Sequence, residues 1–392
     1  MHMSTIAKKR IESIDLLKGL VMVIMALDHV RDYFHHAAFL FDPTDPAQSN
    51  LSLFFTRFIT NFCAPAFSFL AGTSAYMVGR RKTKNELSIF LLKRGLWLIF
   101  IEMTIVNFAW YFDIYFRSPG FLVIWSLGIS MIFLAFMIRL STKFILFVSV
   151  LIIFGHNLLD PIHFDGSYLW ALLHERSVFT YSDSFRFYID YPILPWVAIM
   201  SLGYYFGTYY DTGLDANKRK SFFNQIGIAA LCLFVFLRST NIYGEPVLFV
   251  QYESWSKSLM SFLRVSKYPP SLLYVLVTLG GLFLFLANSE KAKGAVVNFF
   301  CTFGRVPFFY YILHLYLIHI IALVFFQISG LGWQAMILPD WVTELRILKG
   351  HGFSLWLVYA VWVAVIVLLY PFCRRFDQYK QAHKEKWWLS YL

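Results

Sequence analysis

Residues 16–36 read LLKGLVMVIMALDHVRDYFHH, and this stretch decides the class of fold. Its first twelve residues are apolar apart from Lys18, which is typical of a helix that crosses a membrane. Ionisable side chains then follow at Asp28, His29, Arg31, Asp32, His35 and His36. Such groups at membrane depth are costly unless they face water or a partner. The stretch therefore predicts a membrane helix whose polar face lines a cavity inside a helical bundle.

The composition extends this interpretation to the whole chain of 392 residues. Hydrophobic residues make up 58% of the chain and charged residues only 15%, which is typical of a polytopic membrane protein. The net charge of +11 lies mostly in short loops, so it indicates contact with anionic lipid headgroups in the bilayer and no nucleic-acid partner. No linker or low-complexity segment divides the chain, so we expect one integral membrane domain over residues 1–392.

The apolar windows predict an all-α polytopic membrane protein with about ten transmembrane helices. The windows lie near residues 14–36, 52–78, 89–112, 120–139, 143–160, 192–210, 222–238, 270–288, 303–327 and 353–373. One alternating set of connecting segments holds 21 of the 34 Lys and Arg residues. The positive-inside rule then predicts cytoplasmic N- and C-termini, with short tails at 1–13 and 374–392. The longest segments on the opposite side, 156–191 and 239–268, are expected to cap an outward-facing cleft.

The polar cluster of the first helix carries the strongest chemical signal. Helical geometry places five of its side chains within an arc of roughly 120°. They are Asp28, His29, Asp32, His35 and His36. A histidine beside a carboxylate is suited to general acid–base work, and the spacing favours Asp32 as the partner of His29. The alternative is that His35 and His36 are interfacial surface residues and that the two aspartates are ordinary helix-end polarity.

Other polar residues interrupt later apolar runs. Arg57 and Asn61 lie one turn apart, level with the first cluster, and Pro65 is expected to kink their helix. Arg57 either forms an ion pair with Asp28 or Asp32 or clamps an anion. Lys267 precedes a Pro-Pro helix start. The interpretation of Arg305 stays open between a phosphate contact and a snorkelling side chain, and that of His314 between an interhelical hydrogen bond and a catalytic role.

The sequence predicts no metal site. His314 and His319 are five residues apart, so they lie on different faces of one helix. The cysteines Cys63, Cys232, Cys301 and Cys373 show no metal-ligand spacing, and we expect them to be free and mostly buried thiols.

Two functional classes fit the intramembrane polar residues on physical grounds. The first is an acyltransferase that uses histidine as a base. The second is a membrane transporter whose His, Asp and Arg side chains line a solute or proton path. The two halves of the chain show no inverted repeat of broken helices, which counts against the transporter.

Several segments together resemble a known family. RIESIDLLKGLVMVIMALDH (10–29) resembles the first helix of the transmembrane acyltransferase superfamily, including the spacing from Lys18 to His29. Four further segments resemble the branch of this superfamily that is named for heparan-α-glucosaminide N-acetyltransferase. They are FCAPAFSFLAGTSA (62–75), YPILPWVAIMSLGY (191–204), KYPPSLLYVLVTLG (267–280) and FGRVPFFYYILHLYLIH (303–319). The resemblance covers residues 10–375.

The resemblance implies a transmembrane acetyltransferase in a bacterial inner membrane, with multiple spans. Such an enzyme moves acetyl from cytosolic acetyl-CoA to the amine of a terminal glucosamine or related glycan outside the cytoplasm. Acetyl-CoA is the co-substrate, no metal is implied, and a homodimer is compatible with the family.

The resemblance also implies roles for the candidate residues. His29 matches a supporting position in the first helix, and the catalytic histidine maps to His35 or His36. All three are therefore candidates for the base or acyl carrier, with Asp28 and Asp32 to orient them. Relatives often have histidine where this chain has Asn61. The set expected to bind acetyl-CoA is Lys18, Arg57, Lys267, Arg305 and His314, and the positive charge of Lys18 and Arg305 suits its phosphates.

Overall fold

The computed structural model describes residues 11–211 and 214–390 of the chain. Most of the predicted N-terminal tail and the last two residues of the C-terminal tail lie outside this part. The helices are α1 (Glu12–Phe34), α2 (Leu51–Thr60), α3 (Cys63–Gly79), α4 (Lys84–Ile101), α5 (Asn107–Tyr111), α6 (Val123–Met137), α7 (Thr142–Gly155), α8 (Tyr168–Leu173), α9 (Ile193–Phe206), α10 (Ala216–Thr240), α11 (Trp255–Leu263), α12 (Leu272–Ser289), α13 (Ala295–Arg305), α14 (Pro307–Ile328) and α15 (Leu355–Ala382). The strands are β1 (Gly120–Phe121), β2 (Ser177–Ser182) and β3 (Phe185–Ile189).

Helices occupy every predicted apolar window, and six stretches of the described chain are long and apolar enough to cross a membrane. These stretches are Leu51–Gly79, Thr142–Leu159, Ala216–Thr240, Leu272–Ser289, Pro307–Ile328 and Leu355–Ala382. α1 has the length of a span, but charged side chains lie near both of its ends. α6 is apolar but shorter, with 15 residues.

The long apolar stretch after α1 is interrupted before Pro65, where a kink was expected. α2 ends at Thr60 and α3 begins at Cys63, so the break falls at Asn61 and Phe62. Pro65 lies in the first turn of α3, where its missing N–H group costs no helical hydrogen bond. The break leaves the Asn61 backbone carbonyl free to accept a hydrogen bond of 2.7 Å from the Tyr274 hydroxyl.

α1 lies at the centre of the bundle and packs against α2, α3, α13, α14 and α15. Its approach to α13 is close because glycines face each other. A Cβ atom on Gly19 would lie 1.8 Å from the carbonyl oxygen of Phe300, and one on Gly304 would lie 1.8 Å from that of Asp15. Small residues of this kind let the backbones of membrane helices approach each other.

The expectation of an all-α fold is corrected by a small three-stranded sheet, in the order β1-β3-β2. β2 and β3 form an antiparallel hairpin within the segment that was expected to be a cap, and β1 pairs parallel to β3. The strands of this small sheet are short, and burial in β3 increases towards its C-terminal residues Tyr188 and Ile189.

A second correction concerns the start of α14. Arg305 is the last residue of the separate helix α13, and α14 begins at Pro307, where proline is favoured. The predicted window 303–327 therefore joined the end of one helix to the next. The four cysteines are free as predicted, and Cys232 is the exposed member.

Candidate active site

A cavity with a volume of about 900 Å³ lies between the last turns of α1, the α2–α3 break and the small sheet. Six residues predicted for the site line it, namely Asp28, His29, Asp32, Arg57, Asn61 and Lys267. Its wall also includes polar and aromatic side chains from segments far apart in the chain, namely Trp110, Tyr111, Arg176, Arg186, Tyr188, Asp190, Tyr191, Arg264, Tyr268 and Tyr311. Three of the five residues of the predicted polar face of α1, Asp28, His29 and Asp32, therefore face a shared cavity.

His29 is held against the wall of this cavity by aromatic rings. Its ring is nearly parallel to that of His314, with centroids 4.9 Å apart, and it forms a T-shaped contact with the ring of Trp110 at 4.8 Å. Nδ1 of His29 lies 2.8 Å from Nε2 of His314, which is fully buried on α14. The spacing in the sequence favoured Asp32 as the partner of His29, so the structure corrects that expectation.

The hydrogen bonds of the two rings assign their tautomers. Nδ1 of His314 lies 2.8 Å from the carbonyl oxygen of Tyr310, and a carbonyl can only accept, so this nitrogen donates. Nε2 of a neutral His314 then carries a lone pair and accepts from Nδ1 of His29. Nε2 of His29 is left without a proton, and no described residue forms a hydrogen bond to it. His29 can therefore accept a proton on the cavity side.

Asp28 and Asp32 of α1 form ion pairs with arginines. Arg31 donates to Asp28 at 2.8 Å and to Asp32 at 2.6 Å, because both carboxylates lie within its reach on one helix. Arg57 approaches Asp28 at 3.6 Å, which is the ion-pair alternative predicted for it. These charges compensate one another at the rim of the cavity, as isolated charges there would be unfavourable.

Arg57 also orients the side chain of Asn61. Nη1 of Arg57 donates to Oδ1 of Asn61 at 3.1 Å and to the hydroxyl of Thr60 at 2.8 Å. The amide oxygen of Asn61 is thus used as an acceptor, and its NH₂ group is the donor that remains for a ligand in the cavity.

The structure does not bring the other predicted residues to this cavity. His35 accepts from the amide of Ala37 at 3.2 Å and lines a separate groove beside Tyr359. His36 is exposed, and its Nδ1 lies 3.2 Å from the carbonyl oxygen of Phe353. Lys18, in the first half of α1, donates to Ser74 at 2.8 Å. Arg305, the last residue of α13, pairs with Asp377 at 3.3 Å.

The sheet and the residues that flank it supply functional candidates that sequence reasoning missed. Arg176 donates to Asp190 at 2.6 Å, and Tyr188 donates to Asp340. Burial opposes the charged form of Arg176, but the Asp190 carboxylate raises the pKa of this guanidinium. Burial and the bond to Asp340 also raise the pKa of Tyr188. The alternation FRFYI at 185–189 was the available signal, since it is typical of a strand with one face in contact with the protein.

The sequence profile described as "Heparan-alpha-glucosaminide N-acetyltransferase, catalytic" matches residues 10–243, which is more than half of the chain. The chain belongs to this family. Family membership makes it an acyltransferase of the glucosaminide N-acetyltransferase kind. The six long apolar stretches in its described part make it an integral, multi-pass membrane protein. The family match includes His29 and Asn61 and ends before Lys267 and His314. None of the curated proteins compared with the chain matches it.

Proposed function

We propose that this protein is a transmembrane acetyltransferase that moves acetyl from cytosolic acetyl-CoA to the amine of a terminal glucosamine or related glycan. In this proposal the chain crosses a bacterial inner membrane about ten times, both termini are cytoplasmic, and the cavity opens to the outside. The observation that carries the proposal is the 2.8 Å contact between Nδ1 of His29 and Nε2 of His314, which leaves Nε2 of a cavity-lining histidine available as a base.

His29 is the general base of the proposed transfer. As the acceptor nitrogen attacks the thioester carbonyl carbon, a C–N bond forms and the amine proton moves to Nε2 of His29. The C–S bond then breaks, and the proton on His29 is available to the leaving sulfur. His314 holds the His29 ring in one tautomer throughout, in the same way that an acceptor orients the histidine of other catalytic dyads.

Asn61 and Lys267 are the proposed donors to the carbonyl oxygen. Negative charge develops on this oxygen in the tetrahedral intermediate, and donors fixed in advance stabilise it most. The free NH₂ group of Asn61 is suited to this role because Arg57 already bonds to its oxygen. An asparagine can donate here without titrating, so the role does not require the histidine found in relatives.

The inner end of α1 is the proposed binding region for the CoA phosphates. Lys18 lies eleven residues before His29, or about 16 Å along the helix axis. Arg305 lies at the end of α13, which packs along this part of α1. Cations there would attract the diphosphate, while the extended arm of the donor carries its thioester towards His29.

The proposal is tested with purified protein in proteoliposomes, with acetyl-CoA and a glucosamine-ended oligosaccharide added to both sides. Release of the CoA thiol is followed for the wild type and for His29→Ala, His35→Ala and His36→Ala. We expect His29→Ala to lower kcat by about 10²–10⁴-fold, which is the usual contribution of a general base. His351→Ala is the matched control, because His351 is exposed and does not line the cavity.

Each other result has a definite meaning. Activity lost in His35→Ala or His36→Ala but kept in His29→Ala would move the base out of this cavity. If the wild-type protein neither binds acetyl-CoA nor releases CoA, but carries a solute or proton flux, the proposed function is wrong and the protein is a transporter.

A further inference from the structure

A second cluster of titratable side chains lies outside the cavity described above. His156 begins the 3₁₀ turn His156–Leu159 that follows α7, Asp160 comes directly after that turn, and His174 follows the end of α8. None of the three lines the cavity. The fold brings them together although fourteen residues separate Asp160 from His174.

The three side chains have the geometry of a ligand set. One potential ligand atom from each lies within 4.8 Å of the others. Nε2 of His174 lies 2.9 Å from Oδ1 of Asp160, and the ring centroids of the two histidines are 5.8 Å apart. The second oxygen of Asp160 accepts from the amide of Asn157 at 2.8 Å, which fixes the carboxylate.

His156 supplies an independent sign of a missing partner. It is only 2% exposed, and neither of its ring nitrogens has a hydrogen-bond partner within the described part of the chain. Nδ1 of the buried His174 also has none. Buried polar atoms are nearly always satisfied in folded proteins, so a buried imidazole that faces two further ligand-type groups is well placed to bind an ion.

We propose that His156, Asp160 and His174 bind one divalent cation of the zinc class. Imidazole nitrogen and carboxylate oxygen are common Zn²⁺ ligands, and two histidines with one carboxylate leave the fourth tetrahedral position to water. The side chain of Asp160 is 25% exposed, which gives that water a path to solvent. Ligand atoms around tetrahedral zinc lie about 3.3 Å apart, so the more distant pair closes by small side-chain rotations.

The ion would join the end of α7 to the segment that enters the sheet. His174 lies two residues before Arg176, which lines the cavity, and three before the start of β2. A bound cation would thus fix the wall of the cavity relative to a membrane helix. The site differs from the base on His29, and it stands independently of the proposed acetyl transfer.

Metal content tests the proposal without any activity measurement. The full chain is purified without a polyhistidine tag, stripped with EDTA and titrated with Zn²⁺, and bound metal is counted by mass spectrometry. We expect one Zn²⁺ per chain, a rise in Tm on its addition, and Co²⁺ absorption bands typical of tetrahedral coordination. Mg²⁺, which prefers six oxygen ligands, is expected to cause no such rise.

The variants His156→Gln, His174→Gln and Asp160→Asn are each expected to lose the bound Zn²⁺ and the Tm rise. His163→Gln is the matched control, because His163 lies on the same segment, is exposed and pairs with Glu175 instead. A wild type that binds no stoichiometric Zn²⁺ overturns the proposal, as does a His156→Gln variant that binds it as well as the wild type. If the glutamine variants fail to fold, the Zn²⁺ count and the Co²⁺ spectrum of the wild type decide the matter.

Discussion

At the scale of single residues, the bond between His29 and His314 is the feature most open to a direct test. Removing the acceptor with His314→Ala frees the His29 ring to adopt the other tautomer or to rotate. We therefore expect kcat to fall by about 10–100-fold while KM for the acceptor stays within twofold, because His314 does not line the cavity. The measurement is steady-state CoA release in proteoliposomes.

The conservative variant His314→Gln separates orientation from simple packing. The side-chain oxygen of glutamine can accept from Nδ1 of His29, so this variant is expected to recover a measurable part of the activity. Equal losses in the alanine and glutamine variants, with lowered Tm in both, would show that His314 contributes only packing.

The same pair shows what a sequence can reveal about a site. Asp28, His29 and Asp32 were predictable because the helical repeat places them on one face of α1. Arg57 and Asn61 followed from their matching depth in the next helix. The partner of His29 was not predictable, because 285 residues separate it from His314 and only the packing of α1 against α14 sets their contact.

At the scale of elements, the close contact between α1 and α13 fixes how α1 packs in the bundle. Gly19→Ala places a methyl group against the Phe300 carbonyl, so the helices must separate. Overpacking of this kind costs about 1–3 kcal/mol, and we expect a clear loss of Tm in detergent together with lower activity. Gly155→Ala is the control, because a Cβ atom at Gly155 would meet nothing within 4 Å. Unchanged Tm in Gly19→Ala would mean that this close approach does not form in the protein.

Helices were easier to predict than their ends or the sheet. Long apolar windows are a strong signal, and each one contains a helix. The break at Asn61 lies before Pro65, and the side-chain hydroxyl of Tyr274 on α12 donates to the Asn61 carbonyl in the unwound turn. The strands β2 and β3 have six and five residues within a polar segment, so their alternation is a weak signal on its own.

At the scale of the whole molecule, the proposed reaction depends on which side of the membrane the cavity faces. The positive-inside rule predicts that Lys82 lies in the cytoplasm and that the β2–β3 turn at Ser184 lies outside. Both residues are exposed, so each tolerates a reporter cysteine. In intact cells a membrane-impermeant maleimide is expected to label Ser184→Cys at once and Lys82→Cys only after permeabilisation. Cys232→Ser serves as the background, because Cys232 is the exposed cysteine among the four native ones.

The orientation decides between two kinds of chemistry for one site. With Ser184 outside, the proposed base His29 would meet an extracytoplasmic acceptor, and the acetyl group would pass along α1 from the end that carries Lys18. Reversed labelling would place the cavity, His29 and the arginines of the sheet on the same side as acetyl-CoA. The membrane helices would then carry a transferase site on the cytoplasmic side, and no transfer across the bilayer would be needed.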